Sequence, residues 1–89
     1  MPTISRFYGI IVSIHSEVGG KHHTPHVHAT SGDKQAVYDF NGNTLGGSSL
    51  PTREHKLMVA WIELHKAELE KAWEMCQNGI VPLKIAPLK

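Results

Sequence analysis

Pro25-His26-Val27-His28-Ala29-Thr30-Ser31-Gly32-Asp33-Lys34-Gln35-Ala36-Val37-Tyr38-Asp39-Phe40 reads as a β-hairpin, and that reading sets the fold class. Pro25 delivers the chain in extended form into His26 to Thr30. Ser31-Gly32-Asp33-Lys34 has turn chemistry, and the return run from Gln35 to Phe40 alternates so that Ala36, Tyr38 and Phe40 share one face. Upstream, Phe7-Tyr8-Gly9-Ile10-Ile11-Val12-Ser13-Ile14-His15 is rich in β-branched and aromatic residues and is expected as one strand. Downstream, Asn41-Gly42-Asn43 signals a further turn before a short strand around Thr44-Leu45 and the pair Gly46-Gly47. Connections this short predict an antiparallel β-meander of three to four strands over about residues 7–47.

The period changes after Leu50-Pro51. Met58, Ile62, His65, Leu69, Trp73 and Cys76 recur at spacings of three and four, which predicts one long helix over about residues 52–77. Pro51, with Thr52 or Ser49 as N-cap, marks its start; Asn78-Gly79 and Pro82 mark its end. The expected fold is α+β: the meander packed against one long C-terminal helix, with an extended tail over 80–89, in a single domain of residues 1–89. Ile11, Tyr38, Phe40, Trp61, Ile62, Leu69 and Trp73 are the expected core. Such a helix runs about 39 Å, whereas strands of five or six residues span only about 17–20 Å. Either the tail folds back, the helix breaks, or a second protein covers the overhang. Val81, Leu83, Ile85 and Leu88 are the candidate partner-binding residues, for a homodimer or a cognate protein, with Gly79, Pro82 and Pro87 keeping the tail extended.

Hydrophobic residues make up 40% and charged residues 19% of the 89, a balance too apolar for a disordered tail. No apolar run approaches the roughly 20 residues of a membrane span. The opening lacks a signal peptide's basic start and apolar stretch, and Cys76 has no second cysteine to pair with, so a soluble, cytoplasmic protein is expected. Nine Lys and Arg against eight Asp and Glu give +1, far from the strongly basic footprint of non-specific nucleic-acid binding, though RNA as a partner stays open.

Seven histidines need a reason, and His22-His23-Thr24-Pro25-His26-Val27-His28 concentrates four of them. An HxH pair on a strand puts both imidazoles on one face, about 7 Å apart at the Cα atoms. His26 and His28 could be two ligands of Zn²⁺ or a similar divalent metal, with His22, His23, His15 or Asp39 as a third. The same rings, with His22, could instead act as general acid and base on a phosphodiester, Lys21, Lys34 or Arg53 stabilising the developing charge. A structural role is equally open: one packed imidazole donating to a backbone carbonyl, the others exposed. His65 lies on the helix stripe, where a buried neutral ring or a reach toward the strand histidines are the alternatives. Trp61 and Trp73 read as core anchors and Cys76 as a packed or surface thiol.

The chain resembles the small bacterial proteins grouped as domain of unknown function 4160. Pro2-Thr3-Ile4-Ser5-Arg6-Phe7-Tyr8-Gly9-Ile10 is similar to the family's start, and Pro25-His26-Val27-His28-Ala29 to its Pro-His-aromatic-His signature, with His22 at a further family histidine. Leu50-Pro51, Trp61-Ile62-Glu63-Leu64-His65, Glu68-Leu69 and Trp73 resemble its helical half. Val27 replaces an aromatic, Thr24 a proline and Lys21 an acidic residue, and the loop from Ser16 to Lys21 is longer. The resemblance implies a bacterial or phage source and a toxin–antitoxin setting with a neighbour-encoded protein partner. Three functions follow as alternatives. A toxin-like enzyme acting on RNA would need His26 and His28 exposed in a cleft beside a cation. A non-enzymatic binding module, an antitoxin or a phage-borne inhibitor of a host defence such as a CRISPR complex, needs only a shaped surface. A metal-binding accessory domain would carry stoichiometric metal.

Overall fold

A computed structural model describes residues 3–15 and 24–88. Five strands form one antiparallel sheet in sequence order: β1 (Thr3–Phe7), β2 (Ile10–Ser13), β3 (His26–Ser31), β4 (Lys34–Asp39) and β5 (Thr44–Leu45). The run expected as one strand from Phe7 to His15 is instead parted by a turn. Phe7 pairs with Ile10 across Tyr8 and Gly9, whose φ angles of 49° and 78° are both positive, as a two-residue hairpin turn of type I′ requires. This adds β1 and raises the strand count above the three or four expected.

The registers sort side chains into two faces. Ser5, Val12, Ala29 and Ala36 form one inward row, with Val27 and Tyr38 in the next. Ser13, His28, Val37 and Leu45 form an outward row, and Arg6, Ile11, Thr30 and Gln35 another. Ile11 is therefore not in the core as expected but 37% exposed; Ile10, Val12 and Ile14 are the buried residues of this stretch. Helices α1 (Thr52–Leu64) and α2 (Lys66–Gln77) cover the inward face with Met58, Trp61, Ile62, Leu69 and Ala72.

The single helix expected over 52–77 breaks at His65, which caps both halves at φ −118° and ψ 23°. Its N–H reaches the carbonyls of both Trp61 and Ile62, and its Nδ1 meets Glu68 Oε1 at 2.8 Å in the first turn of α2. Thirteen residues of α1 run about 20 Å, the length of a six-residue strand, so the break removes the overhang. The N-cap of α1 is Pro51, with no side-chain cap from Thr52 or Ser49. α2 ends as its sequence predicts: Gly79 takes φ 75° and Ile80 N–H bonds the Met75 carbonyl.

The tail then returns to the sheet. Ile85 N–H donates to the Ile4 carbonyl at 2.8 Å, beside the register shift between Thr3 and Ser5, and Trp61 Nε1–H donates to the Ala86 carbonyl at 2.9 Å. Ile85 is buried and Leu88 packs partly buried against the core. Val81 and Leu83 point outward.

Candidate functional site

Three imidazoles meet at the end of the sheet where β2 stops and β3 begins. His26 belongs to an outward row with Asp39, yet it is only 5% exposed, because Trp73 of α2 lies against its ring at 5.2 Å. Its Nδ1 is 2.8 Å from the Thr24 carbonyl. A carbonyl only accepts, so Nδ1 carries the proton and Nε2 of the neutral ring holds the lone pair. His28 is half-buried, with its ring 5.3 Å from His26 and 4.1 Å from His15. The non-local pairing of Ser13 with His28 makes the second contact, since it brings His15 alongside. Ser13 Oγ lies 3.5 Å from His15 Nε2, and Gln77 Nε2 donates to the His15 carbonyl. α2 thus closes on the row His15–His28–His26 through Trp73 and Gln77.

His28 also borders an open groove of about 280 Å³ along the outward face, with Thr30, Gln35, Val37, Leu45 and Ser48 among its walls. Among the described residues its lining includes no Lys, Arg, Asp or Glu.

The other residues singled out in the sequence fall elsewhere. His22, His23 and Lys21 lie outside the described residues. His65 serves the helix junction, against Glu68 and the Trp61 ring at 5.4 Å. Asp39 closes the β4–β5 turn: its carboxylate accepts from Asn41 N–H and Asn43 N–H at 2.9 Å and from Asn43 Nδ2 at 3.3 Å. Burial pushes this carboxyl up, but those bonds and the Lys66 charge outweigh it and hold the group below its usual value. Arg53 pairs with Glu54 and stacks over Tyr8, and Lys34 sits beyond the opposite end of β3 from His26. Among the described residues no three His, Cys, Asp or Glu converge to hold a metal ion. Cys76 is buried, and burial pushes its thiol up against a smaller opposing effect of the N-terminal charge, the reverse of an activated nucleophile.

One further histidine contact, between Tyr38 and His55, has no sequence signal at all. Tyr38, fully buried, hydrogen-bonds His55 Nδ1 through its hydroxyl at 2.8 Å and accepts from Leu50 N–H, tying the first turn of α1 to the sheet. The partners are 17 residues apart and meet only because α1 crosses β4.

The fold and site define a small α+β protein: a one-sided meander under two helices, with an imidazole cluster at one end. The chain belongs to a family, Domain of unknown function (DUF4160), which matches residues 9–74. That stretch holds His15, His26, His28 and Trp73 and ends before the tail. No curated protein and no solved structure matches the chain.

Proposed function

We propose that the chain works by binding a protein partner, as the non-enzymatic component of a toxin–antitoxin type pair. The observation that carries this reading is the apolar strip left outside the core: Ile80, Val81 and Leu83 are 54%, 77% and 69% exposed within four residues. Neighbouring apolar side chains held outward by a docked tail are the mark of a binding surface. The walled-in position of His26, and a groove beside His28 whose described lining includes no Lys or Arg, support binding over turnover. The test is to express the full chain alone and with the protein encoded beside it. Unimpaired growth with the chain alone, and co-purification of the neighbour with both the wild type and a His15→Ala/His28→Ala variant, are expected.

A second reading has its own observation, the ring contacts of His28 with His15 at 4.1 Å and with His26 at 5.3 Å. On an RNA phosphodiester, one imidazole would take the 2′-hydroxyl proton as that oxygen attacks phosphorus, and another would protonate the departing 5′-oxygen, leaving a 2′,3′-cyclic phosphate. Growth arrest by the wild type, relieved in the histidine double variant, would establish this reading in place of the first.

A further inference from the structure

We infer that the groove between α2 and the tail seats an acidic, amphipathic segment of the partner protein. The inference rests on the protein-binding reading above and adds where and with what chemistry the partner docks. The groove is open, about 190 Å³, with Ala72, Met75, Leu83 and Ile85 as its apolar lining and Lys71 and Lys84 on its rim. Ala72 and Ile85 are buried against the core, so the floor is anchored, while exposed Leu83 stands as a wall and Val81 extends the apolar surface.

Charge selects the occupant. Glu68, the acidic residue at this groove, is taken by His65 at 2.8 Å. Among the described residues neither Lys71 nor Lys84 has an ion-pair or hydrogen-bond partner. Two free ammonium groups beside an apolar floor complement a segment whose apolar side chains are flanked by carboxylates. A second copy of this chain fits poorly, because a two-fold contact through this groove would bring two Lys71–Lys84 pairs together. An anionic lipid surface or a nucleic acid would meet Glu70 and Glu74 on the same helix as Lys71.

The test titrates the ¹⁵N-labelled full chain with a short amphipathic peptide of Leu and Glu, and with its Leu and Lys counterpart. The acidic peptide should shift the amides of Ala72, Met75, Lys84 and Ile85 and bind at least tenfold tighter than the basic one. The exposed double substitution Lys71→Glu/Lys84→Glu should invert that preference. Equal response to both peptides, shifts confined to the outward sheet face, or tighter binding to anionic phospholipid vesicles than to the acidic peptide would overturn the assignment. Co-purification with the neighbour-encoded protein separates the two claims. If the double variant retains that partner as well as the wild type does, the groove assignment fails and the binding reading stands; if the wild type recovers no partner, the binding reading itself fails.

Discussion

Ser5 is buried on the inward face and its Oγ has no hydrogen-bond partner among the described residues. An unpaired buried hydroxyl costs about 1–3 kcal/mol, part of which is recovered when it is removed. Ser5→Ala is therefore predicted to stabilise the protein by up to about 1 kcal/mol, seen as a higher urea midpoint at unchanged slope. Tyr38 is the opposite case, with a hydroxyl satisfied on both sides. Tyr38→Phe keeps the ring but leaves His55 Nδ1 and Leu50 N–H unpaired, and should cost about 1–2 kcal/mol. Burial also pushes the Tyr38 phenol above 10.0, against the smaller opposing effect of the Leu50 N–H. A raised folded value favours the protonated form, so this contribution is whole below pH 10 and is lost as pH rises through the folded value. Cys76, raised above 9.0, adds a loss of the same sign beginning lower. The urea midpoint between pH 8 and 11 should fall less in Tyr38→Phe than in the wild type; identical profiles would show that the phenol makes no contribution.

Among the elements, the broken helix and the returning tail depend on Trp61. Its ring is fully buried, 5.2 Å from Phe7, and its indole N–H holds the tail at Ala86. Trp61→Ala should cost about 3–5 kcal/mol, and Trp73→Ala less, because Trp73 is only partly buried. Trp61→Phe separates packing from anchoring: hydrogen exchange at Ile85 N–H should accelerate tenfold or more while the sheet amides stay protected. Truncation after Asn78 uncovers Ile4 and Trp61 by removing Ile85 and Leu88. It should lower stability by about 2–4 kcal/mol, so that loss of partner binding in that variant would reflect unfolding. The exposed substitution Leu83→Asp is the cleaner probe of association, expected to weaken partner binding with an unchanged urea midpoint.

Across the whole molecule, the helices cover one face of the sheet, the imidazole cluster closes one end, and the tail leaves an apolar strip outside. If the cluster were the working site of partner recognition, His15→Ala/His28→Ala would abolish co-purification; retention of the partner is the predicted outcome. How much of this was legible follows from which features are local. The hairpin from Pro25 to Phe40, its alternation, the turn at Asn41-Gly42-Asn43 and the helical stripe from Met58 to Cys76 could be read from the sequence, because turn chemistry and burial period act over a few residues. The family was legible from the same stretch. The β1–β2 turn was not: Tyr8-Gly9 lacks the usual turn signature, and Tyr8 is held at positive φ by the pairing of Phe7 with Ile10. Nor could the facing of Ile11 be read, since an unbroken β-branched run has no alternation to report which side is buried. Without a Pro or Gly at His65, the helix break follows from the span of the sheet beneath it. The sequence by itself determined which residues are apolar, where most turns fall and that histidines crowd the start of β3. Only the tertiary structure decided that His15 meets His28, that Trp73 walls in His26 and that Ile85 turns inward while Leu83 stays out, because each depends on strand register and helix crossing between residues far apart in the chain.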